Sequence, residues 1–151
     1  MATIEKEIEV EVPVRMAYNQ WTQFEEFPRF MEGVERVEQL DDTRLHWVAK
    51  VGTKRKEWDS KIVEQTPDQR IAWRSEDGDA NAGIVTFRPV SEDKTMVSLR
   101  MEYKPEGIVE SVGDAIGIVS RRVEGDLRRF KEFIETRGEE TGEWRGEIHS
   151  N

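Results

Sequence analysis

Residues 108–137 carry the longest amphipathic pattern in the chain. Ile108, Val112, Ile116, Val119, Val123, Leu127, Phe130 and Ile134 recur in steps of three and four, which puts them on one helical face. Such a helix runs roughly 43 Å at about 1.5 Å per residue, and it needs a large apolar partner. Gly107, Gly113 and Gly117 fall in its first half, where each costs roughly 1 kcal/mol against alanine inside a helix. The stripe is therefore bulky toward Ile134 and slim toward Ile108. Two explanations stay open: the glycines bring helix and sheet into close contact, or they leave room for a ligand.

The partner comes from the preceding sequence. Ile4, Ile8, Val10 and Val12 alternate with Glu5, Glu7, Glu9 and Glu11, a period of two that predicts a strand with one wet, acidic face. Pro13 ends it and suits the first turn of a helix over Val14 to Trp21. Pro28 is expected to break the following stretch, giving two short helical pieces around a bend. Strand patterns then follow at 34–40, 44–51, 56–64, 70–75, 83–90 and 95–104. Turn chemistry at Asp41-Asp42, Gly52-Thr53, Pro67-Asp68, Asp77-Gly78-Asp79 and Ser91-Glu92-Asp93 separates them. The gaps admit hairpins and are too short for crossover helices. The chain is thus expected to be α+β: a seven-stranded curved antiparallel sheet around a long C-terminal helix, with two short helices between strands one and two. One face of that sheet must be covered, and the long helix is the element able to do it.

The 151 residues fit one domain over 1–138 and a polar C-terminal tail over 139–151, mobile or tied down through Trp144. A net charge of −9 argues against nucleic acid as a partner. The basic runs Lys54-Arg55-Lys56 and Arg121, Arg122, Arg128 and Arg129 read as solvated faces paired with nearby acids. With no cysteine there are no disulfides and no thiolate chemistry. No signal-peptide core or transmembrane run is present, so a cytoplasmic location without stable membrane insertion is expected. A homodimer stays open.

Few residues point to chemistry. His46 and His149 are the only histidines and stand in no ligand spacing, so no metal and no cofactor is expected. His46 alternates with Leu45 and Trp47 and is assigned to the opposite, outer face. The aromatic residues Trp47, Trp58, Trp73 and Phe87 lie on different strands, where they either pack the core or form a wall for a planar ligand. Ser60 and Ser75 share a face with Trp58 and Trp73, while Glu57, Asp59 and Arg74 point outward by the pleat. Leu99, Met101 and Tyr103 are taken as inward, with Arg100 and Glu102 outward. Tyr103 and Ser60 are the weak catalytic candidates, and no acid/base pair stands out. Phe27, Phe30 and Met31 either pack in the core or form an apolar lip for a membrane partner.

The segment Trp21-Thr22-Gln23-Phe24-Glu25-Glu26-Phe27-Pro28-Arg29-Phe30-Met31 also resembles a known family. Leu45-His46-Trp47, Glu57-Trp58-Asp59, Ile71-Ala72-Trp73-Arg74-Ser75, Gly83-Ile84-Val85-Thr86-Phe87 and Gly125-Asp126-Leu127-Arg128-Arg129-Phe130-Lys131 continue the likeness in order. The chain resembles the helix-grip (START/SRPBCC) superfamily, and within it the bacterial polyketide cyclase/dehydrase family, over residues 3–137. The resemblance implies a hydrophobic cavity between sheet and C-terminal helix. The expected function is binding or carrying a small hydrophobic or aromatic ligand, lipid, quinone or polyketide-like. The alternative is a cofactor-independent polyketide aromatase/cyclase or dehydratase. The expected lining is Trp47, Trp58, Ser60, Trp73, Ser75, Phe87, Met101, Tyr103, Val112, Gly113, Ile116 and Gly117.

Overall fold

The computed structural model describes residues 2–51, 54–76, 81–103 and 112–149. β1 (Ala2–Val10) leads through Pro13 into α1 (Val14–Trp21) and a 3-10 helix (Phe24–Arg29). The strands β2 (Val34–Gln39), β3 (Arg44–Val51), β4 (Lys54–Thr66), β5 (Arg70–Ser75), β6 (Asn81–Ser91) and β7 (Lys94–Tyr103) follow. α2 (Val112–Arg137) and a two-residue β8 (Ile148–His149) complete the order. The expected start of the long helix at Ile108 and its Gly107 lie outside the described residues.

Seven strands form one antiparallel sheet in the order β1-β7-β6-β5-β4-β3-β2, and β8 joins it by pairing with β4. Register shifts at Val34/Arg36, Ile62/Glu64 and Pro89/Ser91 bend it, because each extra residue locally raises the twist. The result is the curled half-barrel wrapped on a helix that the alternating pattern implies.

α2 is held at both rims of this curl. On one side Arg129 Nε donates to the Phe30 carbonyl at 3.0 Å and Arg122 Nη1 to the Lys50 carbonyl at 3.1 Å. On the other, Lys131 Nζ donates to the Glu9 carbonyl at 3.0 Å, and the Glu11 amide donates to Glu135 at 2.7 Å. Between the rims Val123, Leu127, Phe130 and Ile134 are buried. Trp21, Phe30 and Phe130 interlock there, with ring centroids 4.9 Å apart for Trp21–Phe130 and 5.2 Å for Phe30–Phe130.

Two expectations are corrected, and one open alternative is decided. The bend between the short helices falls at Thr22–Gln23, and Pro28 sits inside the 3-10 helix. Phe27, Phe30 and Met31 form no lip: they are buried at 3%, 1% and 8% exposure, because the 3-10 turn aims them at Trp21 and α2. The tail does not hang from Trp144 alone. Gly138, at φ +73, turns the chain out of α2, and residues 140–145 then run back along α1. Asn19 Nδ2 donates to Glu140, Gln20 exchanges two hydrogen bonds with Thr141, and the Trp144 amide donates to Thr22 Oγ1. Arg145 pairs with Asp68 at 2.8 Å, donates to Asn19 Oδ1 and lies over the Tyr18 ring. Asn19 and Gln20 are thereby buried with their polar groups matched.

Candidate functional site

The strand register sorts the inner face. Trp47 pairs with Trp58, Ser60 with both Leu45 and Ser75, and Ile62 with Trp73. Trp73 pairs onward with Gly83, and Gly83 with Met101. Alternation therefore puts Trp47, Trp58, Ser60, Trp73, Ser75 and Met101 on one concave surface toward α2.

That surface has two unlike ends. Toward α1 it is packed solid: Leu45, Ile62, Ile71, Val85, Phe87 and Val97 are all buried at 5% exposure or less. Phe87 packs against Tyr18 and Trp21 in T-shaped contacts at 5.5 Å and 6.2 Å, within the buried core. Toward the other end Trp47, Trp58, Trp73 and Met101 are only partly buried. Large apolar side chains on the covered face of a sheet are ordinarily buried, so this end of the wall is less covered than the end at α1.

An aromatic series connects the two ends. Phe27, in the core, lies 5.7 Å from Trp47, and Trp47 stacks on Trp58 at 5.8 Å with their planes 3° apart. The Trp47 Nε1–H donates to Ser60 Oγ at 2.8 Å, which fixes the first indole of the stack. Ser60 is fully buried. Its oxygen accepts the indole proton, a contact that does not activate it as a nucleophile, and among the described residues no base accepts from its hydroxyl. Trp73 is set by Gly83: a Cβ there would lie 2.3 Å from the Trp73 ring.

The remaining expected lining is less defined. Tyr103 ends β7 and Val112, Gly113 and Ile116 begin α2, but their side chains lie outside the described residues. At Gly117 an added Cβ would meet, among the described atoms, only Arg121 Nη1 at 3.5 Å. Glycine at 117 therefore shows no close approach to a described sheet atom.

Charge lies elsewhere. On the outer face His46 Nδ1 is 2.6 Å from Asp59 and Nε2 is 3.0 Å from Glu57. Those hydrogen bonds raise the imidazole above its usual range. Asp126, on α2, is raised by burial, against the opposing pull of Arg129 at 2.6 Å. A shallow groove of about 270 Å³ between β1 and α2 is walled by Lys6, Glu7, Glu124 and Arg128 around Ile8 and Leu127. Four of its six lining residues are charged. Among the described residues no three His, Asp or Glu side chains are grouped to hold a metal, and no helix is long and apolar enough to cross a membrane.

A curled antiparallel sheet, a gripped C-terminal helix and a concave wall buried unequally along its length define the architecture. The sequence matches the family described as "Polyketide cyclase / dehydrase and lipid transport" across residues 10–132. The chain belongs to that family. An uncharacterized 17.2 kDa protein of Streptomyces lincolnensis is 54% identical over 149 residues, covering 98% of this chain and 99% of that one. The Zhui aromatase/cyclase of a Streptomyces species superposes with a TM-score of 0.77 at 14% identity, over 95% of this chain and 99% of that one. A START superfamily protein from Mycobacterium smegmatis gives 0.72 at 13% identity, over 87% and 98% of the two chains. At such identities these two structures establish a shared helix-grip fold and nothing about activity.

The site also contains relations that residue patterns did not reveal. The Trp47–Ser60 hydrogen bond joins neighbouring strands on a diagonal, and the seat of Trp73 on Gly83 is a cross-strand pair. The isolated glycine inside the strand pattern of β6 is the one local signal that marks such a close approach.

Proposed function

We propose that this protein binds and carries a small hydrophobic, ring-containing ligand between the concave sheet and the N-terminal half of α2. The observation that carries the reading is the division of the inner wall. Its α1 end is filled by protein side chains, whereas Trp47, Trp58, Trp73 and Met101 remain partly uncovered on the same face. Concave, mostly apolar sites with few polar groups are the usual form of small-molecule pockets, and the family description is consistent with such cargo.

A cyclase or dehydratase would need an acid/base pair aimed at the ligand. Among the described side chains of the partly buried wall there is no carboxylate or imidazole, and the histidine lies on the outer face between Asp59 and Glu57. Carriage is therefore favoured over catalysis.

Native mass spectrometry of gently purified protein tests this reading. A co-purifying mass below about a tenth of the protein's own, released on denaturation, is the expected result. Repeated absence of any adduct, together with no binding of ring or acyl probes by calorimetry, would overturn it.

A further inference from the structure

We infer that the outer edge of β1 is a strand-addition site for a basic extended peptide, with lysine or arginine at alternate positions and apolar residues between them. The site is separate from the concave wall and does not depend on the carrier reading.

The sheet ends in β2 on one side and β1 on the other, and the chain treats these two edges differently. The 3-10 helix covers β2: the Gln39 N–H donates to Glu25 at 3.0 Å and the Val34 N–H to the Met31 carbonyl at 3.1 Å. The main chain of β1 is tied to α2 at its C-terminal end, where Lys131 holds the Glu9 carbonyl and Glu135 the following Glu11 amide. In an antiparallel ladder a residue turns its N–H and C=O to one side, and every second residue shares that side. The Glu9 carbonyl thus marks Glu7, Glu5 and Thr3 as edge residues too. Among the described residues nothing bonds to the main chain of Glu7 or Glu5 on that side. An edge of this kind is a template for another strand.

Side chains on both faces define what such a strand must carry. Toward α2, the groove beside the edge has Ile8 and Leu127 as its apolar part, a dry floor for the inward residues of an added strand. On the outer face Glu5, Glu7 and Glu9 stand exposed in a row. Arg100 is shared between Glu5 and Glu102 at 3.5 Å each, and Ser98 donates to Glu7 at 3.2 Å, so the row keeps an excess of negative charge. If β1 strands of two copies paired edge to edge, this row would face its own image, and like charges directly opposite are unfavourable. The edge is therefore closed to a second copy and open to a strand whose outward side chains are cations. The net charge of −9 adds a long-range attraction for such a peptide.

The test uses the full chain and three capped heptapeptides: KVKIKVK, its block-ordered isomer KKVIVKK, and the acidic EVEIEVE. Calorimetry at fixed salt is expected to show KVKIKVK binding about tenfold or more tighter than either of the others. Nitrogen-15 amide shifts and slowed amide exchange should centre on residues 3–9. Methylating alternate peptide nitrogens should abolish binding in the isomer whose methyl groups face β1 and be tolerated in the other. The double variant Glu5→Gln/Glu7→Gln changes exposed side chains and should weaken KVKIKVK about three- to tenfold, the scale of two exposed ion pairs. Equal affinity for KVKIKVK and KKVIVKK, or shifts spread over the whole acidic surface, means unspecific charge attraction and overturns the site. Undiminished binding by both methylated isomers overturns strand addition. Preference for EVEIEVE, or no binding of any peptide, overturns the inference altogether.

Discussion

Trp73 rests on Gly83 across the β5–β6 pair so closely that a single added carbon at residue 83 would sit 2.3 Å from the indole Cζ2. The ring cannot keep its place if residue 83 gains a side chain. Gly83→Ala should cost about 1–3 kcal/mol, the usual range for overpacking, and should alter the near-ultraviolet dichroism of Trp73. Adding Trp73→Leu should recover part of the loss. An alanine variant with unchanged stability and spectrum would show that the indole has a second comfortable seat.

The Trp47–Ser60 bond supports a second prediction. Ser60→Ala removes the acceptor from a part-buried indole N–H, and an unsatisfied donor costs about 1–3 kcal/mol. The Trp47–Trp58 stack should loosen with it, seen as a weaker coupled tryptophan band in circular dichroism. Retention of full stability would mean that water replaces the hydroxyl.

His46 makes stability depend on pH. Hydrogen bonds to Asp59 and Glu57 raise its pKa in the folded protein, so folding favours the protonated ring. Glu38 of β2 is paired with His46 in the strand register. The contribution is complete below the unfolded pKa of about 6.5 and is lost as pH rises through the higher folded value. The melting temperature should therefore fall as pH rises above about 6.5. His46→Gln should flatten that segment of the curve, and an unchanged slope would remove His46 as its cause.

The tail gives a fourth prediction. Arg145→Met deletes the ion pair to Asp68, the bond to Asn19 and the cation over Tyr18. Asn19 is buried and loses one partner, for an expected cost of about 1–3 kcal/mol. Amide exchange should speed up at the β4–β8 pairing more than in the core strands. Uniform exchange across the sheet would argue against a separately docked tail.

At the packed end, Phe130→Ala should cost about 3–5 kcal/mol, because the ring is fully buried between Trp21 and Phe30. Thermal or urea unfolding would measure it.

Most of the architecture was legible in residue patterns because each element has one wet and one dry face. Alternation located the strands, the three-four spacing located α2, and the pleat assigned His46, Glu57 and Asp59 to the outside. Alternation also placed Phe87 and Trp73 on the same face, but not where along α2 the covering ends. That boundary depends on the tilt of a helix against a curled sheet, to which no short window of sequence has access. Asn19 and Gln20 look like solvent residues on α1. They are buried by partners more than a hundred positions away, a distance over which local periodicity is silent.

The position of α2 after all seven main strands has a consequence for how the protein is made. A ribosome delivers the whole concave face, with its tryptophans and phenylalanines, before the helix that shields it. Until Phe130 and Ile134 emerge, the nascent sheet has no lid for its dry side, and exposed strands of that kind invite association with other chains. The last apolar turns of α2 therefore set the moment at which the nascent chain stops being sticky.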